Sequence, residues 1–263
     1  MSRPKVCLTS LLLLIAAEAP ATAATPEERG YQIAVEADRR NSGWADMTAQ
    51  LTMTLKNAAG EESRRSMRLK MLEVTGEGDK SVAVFDEPVD VRGSALLSHA
   101  HTVRPDDQWL YFPAMKRVKR IASTNKSGPF MGSEFAYEDM SAWELDKFKY
   151  RMVGEDRIDG MEVYVLELLP QYEYSGYTKL VTHLDKQHYR PVKVDYFDRK
   201  GALLKTQTYA GYKQYRDKFW RASEMTMTNH QTRKQTVLTW SNYAFGTGVP
   251  ARDFDKEALE RLH

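Results

Sequence analysis

From Met47 onward apolar and polar side chains alternate: Ala49, Leu51, Met53 and Leu55 interleave with Thr48, Gln50, Thr52 and Thr54. A period of two puts each set on its own face of a pleated strand, so this run predicts a strand buried on one side. Asn57 to Gly60 supplies a turn, and the return run sets Met67, Leu69 and Met71 against Ser66, Arg68 and Lys70. Comparable runs recur at 80–86, 93–99, 108–112, 149–155, 161–169, 177–184, 190–197, 203–212, 219–228 and 234–243. Turn signals separate many of them, among them Asp159-Gly160, Asp185-Lys186, Asp198 to Gly201 and Asn229-His230. Roughly a dozen short strands at this spacing predict an antiparallel sheet that curls into a barrel or sandwich.

Three segments break the period of two. Thr25-Pro26-Glu27-Glu28 reads as a helix start, with Thr25 as cap, Pro26 in the first turn and Glu28 closing a capping box. Ile33, Ala34 and Ala37 give that helix a thin apolar stripe and Gly43 a stop, which suits an element lying across a sheet opening or edge. Helices are also predicted over Glu138–Leu145 and Asp253–Leu262. A closed barrel of about eight strands fills itself with side chains or holds one small ligand, whereas a wider, partly open sheet needs helical plugs or a guest. Met53, Met67, Met71, Met131, Met225 and Met227 suit either packing of irregular gaps or a surface that accepts variable guests.

Residues 108–139 concentrate the rest of the signal. Trp109, Tyr111 and Phe112 meet Pro113, a basic run follows at Lys116, Arg117, Lys119 and Arg120, and Phe130, Met131, Phe135 and Tyr137 then sit among Gly128, Gly132 and Ser133. Apolar side chains in a glycine-containing loop are costly to leave in water, at about 25 cal/mol per Å². They must pack, cover something or bind something. Phe85-x-x-Pro88-x-Asp90-x-x-Gly93, Trp109-Leu110-Tyr111-x-Pro113 and Phe130-Met131-Gly132-Ser133-x-Phe135-x-Tyr137-Glu138-Asp139 resemble the LolA-like outer-membrane lipoprotein-sorting family, in its longer periplasmic branch, over about residues 27–260.

That resemblance implies a mainly β fold: a half-open antiparallel β-barrel with a helical lid or plug over an apolar cavity. It also implies a role in carrying lipids or lipoproteins, with an inner-membrane donor of the RND or ABC type and an outer-membrane acceptor. Leu51, Met53, Met67 and Leu69 on the first hairpin are the candidate cavity residues, with Trp109, Tyr111, Phe112, Phe130, Met131, Phe135 and Tyr137 as further wall or lid. Lys116, Arg117, Lys119 and Arg120 are either a solvated strand or a docking patch for an acidic partner or an anionic headgroup. Tyr172, Tyr174 and Tyr177 after Pro170 suit a loop rim or a sheet corner.

The N-terminus carries an address. Arg3 and Lys5 precede an apolar run from Val6 to Ala17, and Ala21-Thr22-Ala23 is a small-residue cleavage signature, so residues 1–23 read as a signal peptide for the periplasm. Glu18 and Pro20 end the run short of the roughly 20 residues a spanning helix needs. Cys7 lies ahead of the apolar core, where a lipoprotein cysteine does not belong, and cleavage leaves no thiol chemistry. Loss of Arg3, Lys5 and Glu18 takes the net charge from +2 to +1, which argues against nucleic acid as a partner. Residues 24–263, without a linker or repeat, are expected to form one domain.

Catalytic constellations are weak. His99-Ala100-His101 puts two imidazoles on one face of a strand but lacks a third ligand at recognisable spacing, so no metal is expected. Ser123-Thr124-Asn125-Lys126 matches S-x-x-K without its S-D-N and K-T-G companions. Asp86/Glu87, Glu138/Asp139 and Asp253/Asp255 sit where caps or turns are expected. A non-enzymatic carrier without a cofactor is therefore the first reading. The alternative is a periplasmic sensor module that binds an envelope protein, since the same fold serves envelope-stress regulators.

Overall fold

The alternating runs assemble into one open antiparallel ladder. The computed structural model describes residues 23–261; the predicted signal segment, Cys7 included, falls outside them except for Ala23. β1 (Asp46–Lys56), β2 (Glu62–Leu72), β3 (Lys80–Glu87), β4 (Ala95–His99), β5 (Asp107–Phe112) and β6 (Arg117–Arg120) form one meander. A second comprises β7 (Phe148–Ile158), β8 (Met161–Pro170), β9 (Tyr177–Asp185), β10 (Pro191–Asp198) and β11 (Leu203–Ala210). β14 (Glu224–Asn229) and β15 (Gln235–Phe245) join the two, giving 13 strands in the order β6-β5-β4-β3-β2-β1-β15-β14-β11-β10-β9-β8-β7. The sheet does not close, because β6 and β7 are its two free edges. The run predicted as one strand over 219–228 is divided: β12 (Lys213–Tyr215) and β13 (Phe219–Arg221) form a separate small hairpin before β14 begins.

This topology forces residues 121–147 to travel from one edge of the sheet to the other, and they do so across its inner face. Phe130 and Phe135 on this segment are buried in the same cluster as Leu51 and Met53 from β1, Leu96 from β4, Leu180 from β9 and Val194 from β10. One core uniting both halves of the sheet means that the ladder curls around the crossing segment. The helix predicted over Glu138–Leu145 is not α-helical: short 3-10 turns stand at Tyr137–Met140 and Leu145–Lys147. A chain that must stay extended enough to span a sheet cannot spend its length on a compact helix.

α1 (Pro26–Asn41) begins as predicted, with the Thr25 hydroxyl accepting from the Glu28 N–H at 3.1 Å and the Glu28 carboxylate accepting from the Thr25 N–H at 2.8 Å. It lies along the edge strand β7 so closely that a Cβ on Gly30 would stand 2.7 Å from the Met152 backbone nitrogen. The C-terminal segment forms 3-10 turns at Ala251–Phe254 and Lys256–Arg261. Their Phe254 and Leu259 pack on Val82, Val84, Leu97 and Tyr111, so the outer faces of β3, β4 and β5 are covered as well as their inner ones. Burial on both sides explains the unbroken apolar runs Val82-Ala83-Val84-Phe85 and Ala95-Leu96-Leu97. This terminal element, read from sequence as a helix, is no lid: it sits opposite the concavity.

Candidate functional site

The crossing segment fills the concavity over β1–β5 and leaves it open over β8–β11. The open part is a cavity of about 1170 Å³, larger than the 300–1,000 Å³ usual for a drug-sized ligand. Its apolar wall is built by inward positions an even number of residues apart: Leu166 and Leu168 on β8, Leu180 and Leu184 on β9, Val194 and Tyr196 on β10. Met225 of β14 and Trp240 of β15 continue the wall toward β1. α1 contributes Ala34, Ala37 and Asp38, and Trp143, Leu145 and Phe148 come from the end of the crossing segment and the start of β7.

The C-terminal half of α1 is fastened over this space. Lys218 Nζ donates to the Ser42 carbonyl at 2.5 Å, Arg221 Nη1 to Asn41 Oδ1 at 2.7 Å, and Arg40 Nη1 to the Gln187 carbonyl at 2.8 Å. Lys218 and Arg221 thus set cations at the negative end of the helix dipole. Nearby in the wall, burial raises three carboxyls: Asp79 to about 6, Glu144 to about 7, and Asp38 upward. The Asp79 N–H donates to the Glu144 carboxylate at 3.3 Å, so like charges share this end of the cavity.

Two acidic residues hold the crossing segment to the sheet. Asp139 accepts from Lys205 Nζ at 2.6 Å, from the Tyr177 hydroxyl at 2.8 Å and from the Ala136 N–H at 2.7 Å, and both members of the Lys205–Asp139 pair are about 95% buried. Glu138 accepts from the Tyr172 hydroxyl, the Ser175 hydroxyl and the Gly176 N–H at 2.8–3.0 Å. Burial pushes the Glu138 carboxyl upward, with the neighbouring Asp139 charge adding to it.

A fold of this kind has known relatives. A family profile described as "uncharacterized protein" matches residues 77–261. The crystal structure of a "putative outer membrane lipoprotein-sorting protein domain" from Vibrio parahaemolyticus is 56% identical over 89% of this chain and all of that one, with a TM-score of 0.88. The chain belongs to the LolA-like family. A DUF1329 family protein from Desulfovibrio piger is 27% identical over 90% of this LolA-like chain and all of its own, with a TM-score of 0.85. A LolA superfamily protein from Nitrosomonas europaea shares the fold at 20% identity and a TM-score of 0.70, over 90% of this chain and all of that one. No curated protein matches the sequence.

In this LolA-like chain most of the apolar residues singled out from sequence as cavity wall or lid gather in the filled half of the concavity and not around the open one. Leu51, Met53, Met67 and Leu69 are buried beneath Phe130 and Phe135 in the main core, with Phe112, Met131 and Tyr137 packed at its margin. Phe130 is fully enclosed, 5.9 Å from the ring of Phe85 and 5.7 Å from that of Tyr137. Tyr111 is buried, and Trp109 half-buried, on the opposite face of the sheet beside Phe254. Gly132 adopts a positive φ of 77°, as does its neighbour Met131 at 48°, so a tight turn carries Phe130 inward. Lys116 also has positive φ, at the tip of the β5–β6 hairpin. Arg117 and Lys119 extend from edge strand β6 into solvent, while Arg120 pairs with Asp107.

The minor constellations resolve into structure. His99 Nε2 lies 2.7 Å from the Phe254 carbonyl, whereas His101 sits between Glu77 and Asp107, so different partners hold the two imidazoles. Ser123 begins a 3-10 turn and Lys126 donates to the Asp106 carbonyl. Tyr172, Tyr174 and Tyr177 all line the cavity. The wall residues that sequence reading missed carried one available signal: in Leu203–Ala210, Lys205 and Gln207 occupy the buried parity of the strand. Polar residues at buried positions mark a site or a buried network.

Proposed function

We propose that this chain is a non-enzymatic periplasmic carrier that shields the acyl chains of a lipid or lipoprotein between the inner and outer membranes. The observation that carries this reading is the cavity of about 1170 Å³ walled by strand leucines, valine and aromatic rings. Each methylene buried there is worth about 0.8 kcal/mol, so two or three acyl chains supply ample affinity without polar recognition. The 56%-identical Vibrio protein, a "putative outer membrane lipoprotein-sorting protein domain", supports the same cargo class. Among the described residues no helix is long and apolar enough to cross a membrane. The N-terminal signal segment gives the periplasmic address, and donor and acceptor are then an inner-membrane transporter of the RND or ABC type and an outer-membrane site.

Native mass spectrometry of protein isolated from its own periplasm tests this. Co-purifying lipid, exchanged on addition of excess phospholipid, is the expected result; an empty protein that takes up no offered lipid rejects the reading. For delivery, Lys116, Arg117 and Lys119 offer exposed charge at the sheet edge to an acidic partner or anionic headgroup. Reversing these three charges is expected to slow transfer between reconstituted donor and acceptor membranes and to leave loading unchanged. An unaltered transfer rate would make them only a solvated edge.

A further inference from the structure

The wall of the cavity holds hydrogen-bond donors that the protein itself does not use. Gln207 is 6% exposed, and its Oε1 accepts from the Tyr196 hydroxyl at 2.7 Å. Its Nε2 amide has no acceptor among the described residues, although the side chain lines the cavity. Tyr209 follows two residues later on β11, hence on the same face of the strand. Six other tyrosines of the wall are satisfied internally: Tyr150 donates to the Leu145 carbonyl, Tyr172 to Glu138, Tyr177 to Asp139, Tyr196 to Gln207, Tyr212 to the Pro191 carbonyl and Tyr243 to the Ala222 carbonyl. Tyr209 differs, for its hydroxyl has no hydrogen-bond partner among the described residues. Burial raises its pKa, so it remains a protonated donor at any physiological pH. Trp240, also in this wall, has a covered indole N–H that likewise lacks an acceptor.

An amide N–H and a phenol facing a hydrocarbon guest would lose their water and gain nothing, which is costly. A guest that brings an acceptor oxygen removes that cost. The oxygen is a neutral one, because the nearby cations are already engaged: Lys205 pairs with Asp139 and Arg190 with Asp185, Lys218 and Arg221 hold the end of α1, and the carboxylates of Glu138 and Asp139 line the same cavity. A carboxylate or phosphate placed here would meet like charge. We infer that Gln207 and Tyr209 form a docking point for the carbonyl oxygen of an acyl ester. The cavity thereby registers an acylated glycerol unit and discriminates against ether lipids and plain hydrocarbon of equal length. This inference rests on the carrier reading given above and adds to it where the cargo's acyl linkage sits.

The test compares 1-palmitoylglycerol with 1-O-hexadecylglycerol, which share chain length and head and differ in the carbonyl, by displacement of a fluorescent apolar dye. The ester is expected to bind about fivefold more tightly, the worth of one net hydrogen bond. Tyr209→Phe, which removes only the hydroxyl, and Gln207→Leu are each expected to reduce that ratio and leave the ether's affinity unchanged. Equal binding of ester and ether by the unaltered protein overturns the inference and leaves the carrier reading intact. So does a Tyr209→Phe protein that keeps the full preference, or one that loses both lipids alike. Failure to bind either lipid rejects the carrier reading and this one with it. A peptide whose N-terminal cysteine bears a diacylglyceryl group, run beside free diacylglycerol and the ether analogue of each, separates the two sources of such an ester. Tighter binding of either ester than of its own ether supports the site and names its cargo.

Discussion

The pair Lys205 and Asp139 shows what one residue can hold. Both side chains are almost wholly out of water, and Asp139 also receives the Tyr177 hydroxyl and the Ala136 N–H. Removing one partner of a buried ion pair strands the other charge, at a cost of about 3–5 kcal/mol, whereas replacing both with apolar groups is far milder. Lys205→Met is therefore expected to lower the stability seen in urea by about that amount, and Lys205→Met with Asp139→Leu to restore part of it. If the single change costs no more than an exposed lysine would, the pair is not the anchor described. Sequence reading had identified Asp139 as a residue with a structural task, because Glu138-Asp139 falls at a turn. Its partner was illegible: Lys205 lies 66 positions further on, and no local pattern pairs them. The strand itself was legible, and within it the charge at a buried parity marked the place where a partner had to be.

At the scale of elements, the strands followed the period of two closely, and the first helix followed its capping box. What escaped sequence reading was order in space. β6 and β7 are successive strands yet stand at opposite edges, and only that fact makes residues 121–147 a span across the concavity. The apolar residues of this segment read equally well as a lid over a guest or as the core of a plug, since either demands burial. Phe130, enclosed against Phe85 and Tyr137, behaves as plug. Phe130→Ala is expected to cost about 3–5 kcal/mol in a denaturant titration. Loss of lipid affinity without that loss of stability would return Phe130 to the role of lid. α1 makes a separate test. A methyl group at Gly30 has no room against the β7 backbone, so Gly30→Ala must lift the helix, with a cost of about 1–3 kcal/mol. Hydrogen exchange is then expected to quicken along α1 and β7 while β1 and β2 stay protected; uniform protection would mean that the helix accommodates the methyl in place.

For the molecule as a whole, Asp79 and Glu144 couple folding to pH. Both carboxyls titrate above their ordinary values, Asp79 at about 6 and Glu144 at about 7, mainly because burial disfavours their charge. Arg221 and Lys147 oppose the rise, while Glu73, Asp38 and Asp106 add to it. Through these two groups the folded chain binds more protons than the unfolded one between about pH 4 and 7, so their contribution to stability falls as pH rises through that window, while His99 and His183, lowered by burial, act in the opposite sense. Asp79→Asn with Glu144→Gln is expected to shift the difference between Tm at pH 5 and Tm at pH 8 by roughly 3 °C in favour of pH 8. An unchanged difference in the double variant would place the pH dependence elsewhere. The unclosed ladder has a further consequence. In a sealed barrel, strand number and shear fix the bore, so a wider guest can enter only by breaking the wall. Here the rim strands β6 and β7 share no hydrogen bond, and the bore can dilate by a change of coiling alone. Under the proposed carrier function, cargoes of unequal girth can then share one container, each setting the curvature it needs.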